Sequence, residues 1–411
     1  MAGLAFWSYL ALLALAPLPL GGNRPAPANA LCLAMGLLLI LWAVAAWRRP
    51  ELAGAQLRRW GWHAAAFLAF LGWALIQGSG LTPAAWDHSA WRLTGVPGAI
   101  SVSPDDTAAA ALRLGAYGGA FFLALQYGGS RRRARALLWT LALSAAAYAA
   151  YGVVAELAGG ERVLWYRKWA YEGSLTATFV NRNAFATYAG IGLICALALL
   201  ARATREAAQE ALLRRDSAAG FLDQFAGRGW LAALAALILA VALAMTQSRA
   251  GVAAALAGVA TLFALRIRLL DSQAARRART AAAAVCVLFA GVAGGGALLQ
   301  RLEADPGADL GARMNLYAAV LKGIAERPLL GAGYGAFEHG FLPYRGPELI
   351  YLRAIDKAHD SYLELAFEAG IPAAVLLLGL LAVKSLPTVT PFSRPIPTPL
   401  GGEEWAYPRS A

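Results

Sequence analysis

ALCLAMGLLLILWAVAAW, residues 30–47, carries no charged side chain and runs directly into Arg48-Arg49. As a helix rising about 1.5 Å per residue, such a stretch reaches close to the roughly 30 Å of a bilayer's hydrocarbon core. Blocks of the same kind recur along the whole chain. They predict ten spans: Ala2–Leu20, Ala30–Trp47, Trp62–Gln77, Ala108–Tyr127, Ala136–Ala158, Ala184–Ala201, Trp230–Gln247, Gly251–Leu265, Thr280–Leu299 and Tyr362–Val383. The first lacks a cationic start and a small-residue cleavage site, so it reads as a retained span. Composition agrees: 59% of the 411 residues are hydrophobic and only 15% charged, against about 45–50% and about 25% in soluble domains. The expected class is an all-α polytopic membrane protein of about ten transmembrane helices.

The net charge of +12 does not point to nucleic acid, because the basic residues sit between spans. Arg48, Arg49, Arg58 and Arg59 form one group, Arg131, Arg132, Arg133 and Arg135 the next. Arg202, Arg205, Arg214 and Arg215 follow, then Arg266, Arg268, Arg276, Arg277 and Arg279. These are alternate connections, so the positive-inside rule makes them cytoplasmic and puts both termini inside.

The opposite connections face outward. Residues 78–107 hold Trp86, Asp87, His88, Trp91 and Arg92, and 159–183 hold Trp165, Tyr166, Lys168, Trp169 and Tyr171; such aromatic density beside a span reads as an interfacial belt. The third, residues 300–361, is too long for a simple connection. Asp309 is placed to cap a helix ending before Pro328, with Arg313, Tyr317, Val320, Leu321 and Ile324 on one face. The turn-rich run Gly331-Ala332-Gly333-Tyr334-Gly335 follows. The layout is therefore a nine-span bundle over residues 1–299, an outer subdomain over 300–361, a last span over 362–383 and a disordered cytoplasmic tail over 384–411.

Cys32, Cys195 and Cys286 lie singly within spans and suit buried small hydrophobes. The four histidines, His63, His88, His339 and His359, form no H-E-x-x-H or Cys/His ligand set. What stands out is a group of cations on the outer side: Arg249 in the tight reversal Thr246-Gln247-Ser248-Arg249-Ala250-Gly251, Arg313 on the loop helix, and His359 just before the last span. Asp360, Glu364 and Glu368 then recur every four residues, one stripe of carboxylates descending toward the membrane. Plainer readings exist for each: Arg249 and Arg113 snorkelling to headgroups, Arg313 in an ordinary loop ion pair, His359 idle at the interface.

Four stretches resemble the O-antigen ligase and polymerase superfamily of bacterial envelope glycan enzymes. They are Ala177-Thr-Phe-Val-Asn181-Arg182-Asn183-Ala-Phe-Ala186, then Thr246–Gly251, then Arg313 with Glu326-Arg-Pro-Leu-Leu-Gly-Ala-Gly-Tyr-Gly335, and last His359-Asp-Ser-Tyr362-Leu-Glu364 through Glu368-Ala-Gly-Ile-Pro372. The resemblance covers roughly residues 100–383. It implies a GT-C-like membrane glycosyltransferase of the bacterial inner membrane, with its site on the periplasmic face. The donor it implies is a glycan on a polyprenyl diphosphate such as undecaprenyl diphosphate. The acceptor it implies is lipid A–core (the ligase of lipopolysaccharide biosynthesis) or a growing polysaccharide (the polymerase). The family's important arginines fall on Arg249 and Arg313 and its histidine on His359; Asn181, Arg182, Asn183, Tyr317 and Tyr362 complete the candidate substrate-binding set. Asp360 stands where the family commonly has Asn, and the chain turns polar after Lys384 where the family usually has further spans.

Physical chemistry points the same way. No nucleotide sugar is available outside the cytoplasm, so the group to be transferred must arrive activated. A departing lipid diphosphate gathers negative charge that fixed guanidinium groups stabilise. A histidine near neutrality suits the acceptor's proton. Such a site requires no metal and no cofactor. The rival classes are an envelope lipid or solute transporter, with the carboxylate stripe as an ion path, and a non-catalytic scaffold.

Overall fold

A computed structural model describes residues 2–48, 54–93, 95–160, 162–214, 218–267, 306–349 and 355–385. The expected span Thr280–Leu299, Cys286, the arginines from 268 to 279 and the tail from residue 386 lie outside the described residues. Twelve α-helices are described: α1 (Ala2–Leu15), α2 (Pro25–Arg48), α3 (Gly54–Gln77), α4 (Pro104–Gly128), α5 (Arg131–Leu157), α6 (Arg182–Arg214), α7 (Ala218–Met245), α8 (Arg249–Ile267), α9 (Pro306–Glu326), α10 (Phe337–Gly340), α11 (Ser361–Ala369) and α12 (Ile371–Ser385). The described strands are β1 (Arg162–Val163) and β2 (Tyr166–Arg167), an antiparallel hairpin.

Among the described residues, four helices are long and apolar enough to cross a membrane: α2, α4, α5 and α6 over Arg182–Glu210. Large apolar side chains point away from the protein, with Leu33, Leu37 and Ile40 of α2 all more than half exposed. That suits lipid and not water. The interior is built from small residues. Ala142, Ala145 and Ala149 of α5 meet Ala186, Ala189 and Ala196 of α6 and Ala232 and Ala235 of α7. Small side chains let helix backbones approach closely where lipid supplies no hydrophobic drive between helices.

Short connections make successive helices antiparallel, so the bundle has two unlike ends. One carries Arg48, Arg131, Arg132, Arg133, Arg135, Arg202 and Arg205, with Arg133 over the rings of Phe6 and Tyr127 at 5.8 and 5.7 Å. The other gathers the connections between α1 and α2, α3 and α4, α5 and α6, and α7 and α8. There Thr178 Oγ1 donates to Pro17 O at 2.9 Å, and Arg24 lies 5.2 Å over the Trp169 ring.

An ordered cap sits on that second end. Its core joins Leu316, Val320 and Ile324 of α9 to Phe337, Phe341, Leu349, Ile355, Ala358 and Phe367. Two expectations change here. Asp309 lies within α9, which is described from Pro306 on, instead of capping it, and Leu321 is exposed while Leu316 takes its place on the packed face. The last span is not continuous from Tyr362 to Val383. Gly370, at φ 84° and ψ 155°, separates α11 from α12, and α11 joins the cap through Phe367. Apolarity alone does not register that break.

Candidate functional site

The first cluster lies where α6 and α8 begin. Asn181 caps α6, its Oδ1 accepting from Asn183 N–H at 2.7 Å. Ser248 caps α8, its Oγ accepting from Gly251 N–H at 3.1 Å. The same hydroxyl donates to Asn183 Oδ1 at 2.7 Å and so joins two helix starts that are 65 residues apart in sequence. Helices α6 and α8 touch here: a side chain at Gly251 would fall 2.4 Å from Ala186 Cβ. The connection before α6 is laced to the turn before α8, with Leu175 N–H to Met245 O at 3.1 Å and Gln247 Nε2 to Gly173 O at 3.0 Å. Arg182 donates to Ser174 Oγ at 3.0 Å and lies 5.5 Å over the Tyr171 ring. Asn181, Asn183 and Arg249 remain exposed. The cluster therefore presents two amides and a guanidinium outward on a tightly bonded frame.

The second cluster is the His359 segment. His359 has φ 56°, in the left-handed region that few residues other than glycine adopt, though His, Asn and Asp do so more than most. Asp360 caps α11, accepting from the backbone N–H groups of Tyr362 and Leu363 at 2.9 Å each. Glu364 accepts from Ala358 N–H at 2.9 Å and pairs with Lys357 at 3.4 Å. His359 and Tyr362 are both exposed. Glu368, in the cap and outside the spans, accepts from Phe337 N–H at 3.1 Å, and burial pushes its carboxyl up to about 7. The three carboxylates each bind backbone, so the expected descending stripe is taken up by local structure.

The cap is fastened to the bundle by backbone contacts. Gln77, fully buried at the end of α3, donates to Leu330 O and Glu368 O at 2.7 and 3.0 Å and accepts from Tyr334 N–H at 3.2 Å. Trp73 donates to Ala369 O at 2.8 Å. Ala332 and Gly333 N–H groups bond Phe367 O and Glu368 O, and Ile371 N–H bonds Pro328 O. Gly331 approaches the Glu368 carbonyl so closely that a Cβ would stand 2.2 Å from it. The glycine-rich run is thus a backbone clasp on the α11–α12 joint. Arg327 holds the α3–α4 connection, donating to Trp86 O, Asp87 O and Gly331 O at 2.7, 3.1 and 2.9 Å. Burial, with Arg327 nearby, lowers His88 to about 4, which keeps it neutral and structural.

The structure thus brings Asn181, Arg182, Asn183 and Arg249 together at the end of the bundle that also carries the cap with His359 and Tyr362. Arg313 falls on α9 three residues before the buried Leu316, and Tyr317 is half-buried beside it. Sequence reasoning does not single out Gln77, Trp73, Ser248 Oγ or Glu364 as individual anchors. A polar residue closing an otherwise apolar block is the one signal that marks Gln77.

Fold and site together define a helical, membrane-type bundle with an ordered cap and exposed cationic and amide side chains at one end. Residues 234–378 match the family model described as O-antigen ligase. That match supports the O-antigen ligase superfamily and contains Arg249, Arg313, Tyr317, His359 and Tyr362; Asn181 and Asn183 lie outside it and join it through Ser248. No curated protein and no solved structure matches the chain.

Proposed function

We propose that this chain is a glycosyltransferase of the bacterial inner membrane. It moves a glycan from a polyprenyl diphosphate to an acceptor on the periplasmic face, with lipid A–core as first choice and a growing polysaccharide as second. The family match supports a membrane glycan ligase or polymerase. The observation that carries the reading further is the Ser248–Asn183 bond. It fixes the exposed Arg249 beside the Asn181–Asn183 pair, on the end of the bundle that bears His359.

In this reading Arg249 and Arg313 bind the diphosphate. His359 takes the proton of the acceptor hydroxyl as its oxygen attacks the anomeric carbon. The bond from that carbon to the diphosphate oxygen breaks, and the polyprenyl diphosphate leaves with its charge held by the two guanidiniums. Attack opposite the leaving group inverts the anomeric centre. No metal is needed, because the arginines carry the charge compensation.

The test is reconstitution in liposomes with a polyprenyl diphosphate glycan, candidate acceptors and chelator. Arg249→Ala is expected to insert and accumulate but to lose transfer by at least about 10²-fold, the usual loss when one fixed charge-stabilising donor is removed. Full activity in that variant removes the argument. Labelled-solute counterflow without glycan transfer would favour a transporter.

A further inference from the structure

We propose that Glu364 is a positioning residue for His359, fixing the left-handed turn that presents the imidazole outward. This inference rests on the transferase reading, in which His359 is the base, and adds to it the device that holds the base in place.

The segment around His359 is bonded on both sides within a few residues. On its N-terminal side Glu364 grips two consecutive residues: one oxygen accepts Ala358 N–H at 2.9 Å, the other pairs with Lys357 Nζ at 3.4 Å. Ala358 is fully buried in the cap core, so the chain enters His359 from a fixed point. On the C-terminal side Asp360 caps α11 through two backbone N–H groups, and Glu364 N–H bonds back to Asp360 O at 2.9 Å. Glu364 is one turn into α11, and α11 is itself packed into the cap through Phe367. The carboxylate therefore ties the loop before His359 to the rigid element after it.

Such a tie matters because His359 occupies a left-handed conformation, φ 56°. A non-glycine residue holds it only where its surroundings over-determine it, and such residues concentrate at functional sites. His359 is itself exposed, so the determination comes from its neighbours. Of these, Asp360 serves the helix start. Glu364 is the side chain that restrains the approach to the histidine.

The experiment uses the full-length protein in nanodiscs, with transfer from a polyprenyl diphosphate glycan as readout, alongside thermal stability. Glu364→Ala removes both contacts. It is expected to lower kcat by about 10²-fold, the cost of displacing a reacting group by about 1 Å, with KM for the donor unchanged. Glu364→Gln keeps an acceptor oxygen for Ala358 N–H and loses only a partly exposed ion pair, so it should stay within about fivefold of wild type. Lys357→Ala should behave like the Gln variant. Adding Glu364→Ala to His359→Ala should cost nothing further, because a base that is gone cannot be mispositioned. The proposal is overturned if the double variant is weaker than His359→Ala alone, if Glu364→Gln is as impaired as Glu364→Ala, or if the loss in Glu364→Ala tracks a loss of folded protein. An active His359→Ala would instead refute the transferase reading. An inactive His359→Ala with an active Glu364→Ala would refute this proposal alone.

Discussion

Replacing Gly370 by alanine should loosen the cap from the bundle. Gly370 has φ 84° and ψ 155°, a region that only glycine occupies at low cost; a Cβ there carries about 1–3 kcal/mol of backbone strain. The same Cβ would stand 2.3 Å from Leu329 O and 2.7 Å from Leu329 C. Those are backbone atoms of the turn that follows α9, so no rotamer change relieves the contact, and forced overpacking adds about 1–3 kcal/mol. The expected total is about 2–6 kcal/mol, set against the Ile371 N–H to Pro328 O and Gly370 N–H to Ala366 O bonds that it would displace. The measurement is thermal unfolding of purified protein in nanodiscs, with glycan transfer followed in parallel. Gly95→Ala is the matched control: its φ is 69° but a Cβ there meets nothing within 4 Å. Gly370→Ala should lower the melting temperature by about 2–7 °C and reduce transfer, while Gly95→Ala should do much less. Equal effects of the two substitutions, or a wild-type melting curve for Gly370→Ala, would refute the clasp.

Gln77→Ala strands the half-buried Leu330 carbonyl and the Tyr334 N–H and leaves Glu368 O with Gly333 N–H as its remaining donor; at about 1–3 kcal/mol for each unsatisfied group, it should destabilise the cap in the same unfolding assay. Ser248→Ala removes the α8 cap and the Asn183 bond together, so it should cost about 0.5–2 kcal/mol and reduce transfer without preventing insertion. Glu368 gives a pH dependence. Its carboxyl is raised from 4.5 to about 7 in the folded protein, so the folded state keeps a proton that the unfolded chain releases, and stability should fall as pH rises from about 4.5 through about 7. Glu368→Gln should flatten that slope in melting curves taken across the range.

The bundle was readable because membrane burial imposes long apolar blocks, and the charge asymmetry between its ends because arginines in short connections stand out against them. The motif residues were readable as points: Asn181, Arg249, His359. Their wiring was not. Ser248 and Asn183 are 65 residues apart, and nothing in either local pattern specifies a bond between them. The four-residue spacing puts Glu364 and Glu368 on α11 and leaves Asp360 as its N-cap. The expected descent toward the membrane stops with α11 at Gly370, a break that hydropathy, continuous across it, does not register. The warning was available, since glycine is favoured just after a helix and proline just inside the next, and Gly370-Ile371-Pro372 has that order. Gln77 is hidden for a related reason: it reads as the polar edge of a span, whereas its value lies in carbonyls contributed by residues more than 250 positions away.

These wiring details also bear on which class of activity the chain suits. A proton or cation path through a transporter needs intramembrane carboxylates that face a polar conduit. Here Asp360 is committed to the α11 cap, Glu364 to Ala358 and Lys357, and Glu368 to Phe337 and the clasp. They hold a loop instead of lining a route. Alternating access further requires one part of the bundle to rock against another. The cap opposes that, because Gln77, Trp73 and Arg327 lock it to the end of α3 and to the connection that follows. A rigid cap over one end, with exposed side chains fixed by their neighbours, instead meets the demand of transfer chemistry: reacting groups must be held in place before the substrate arrives.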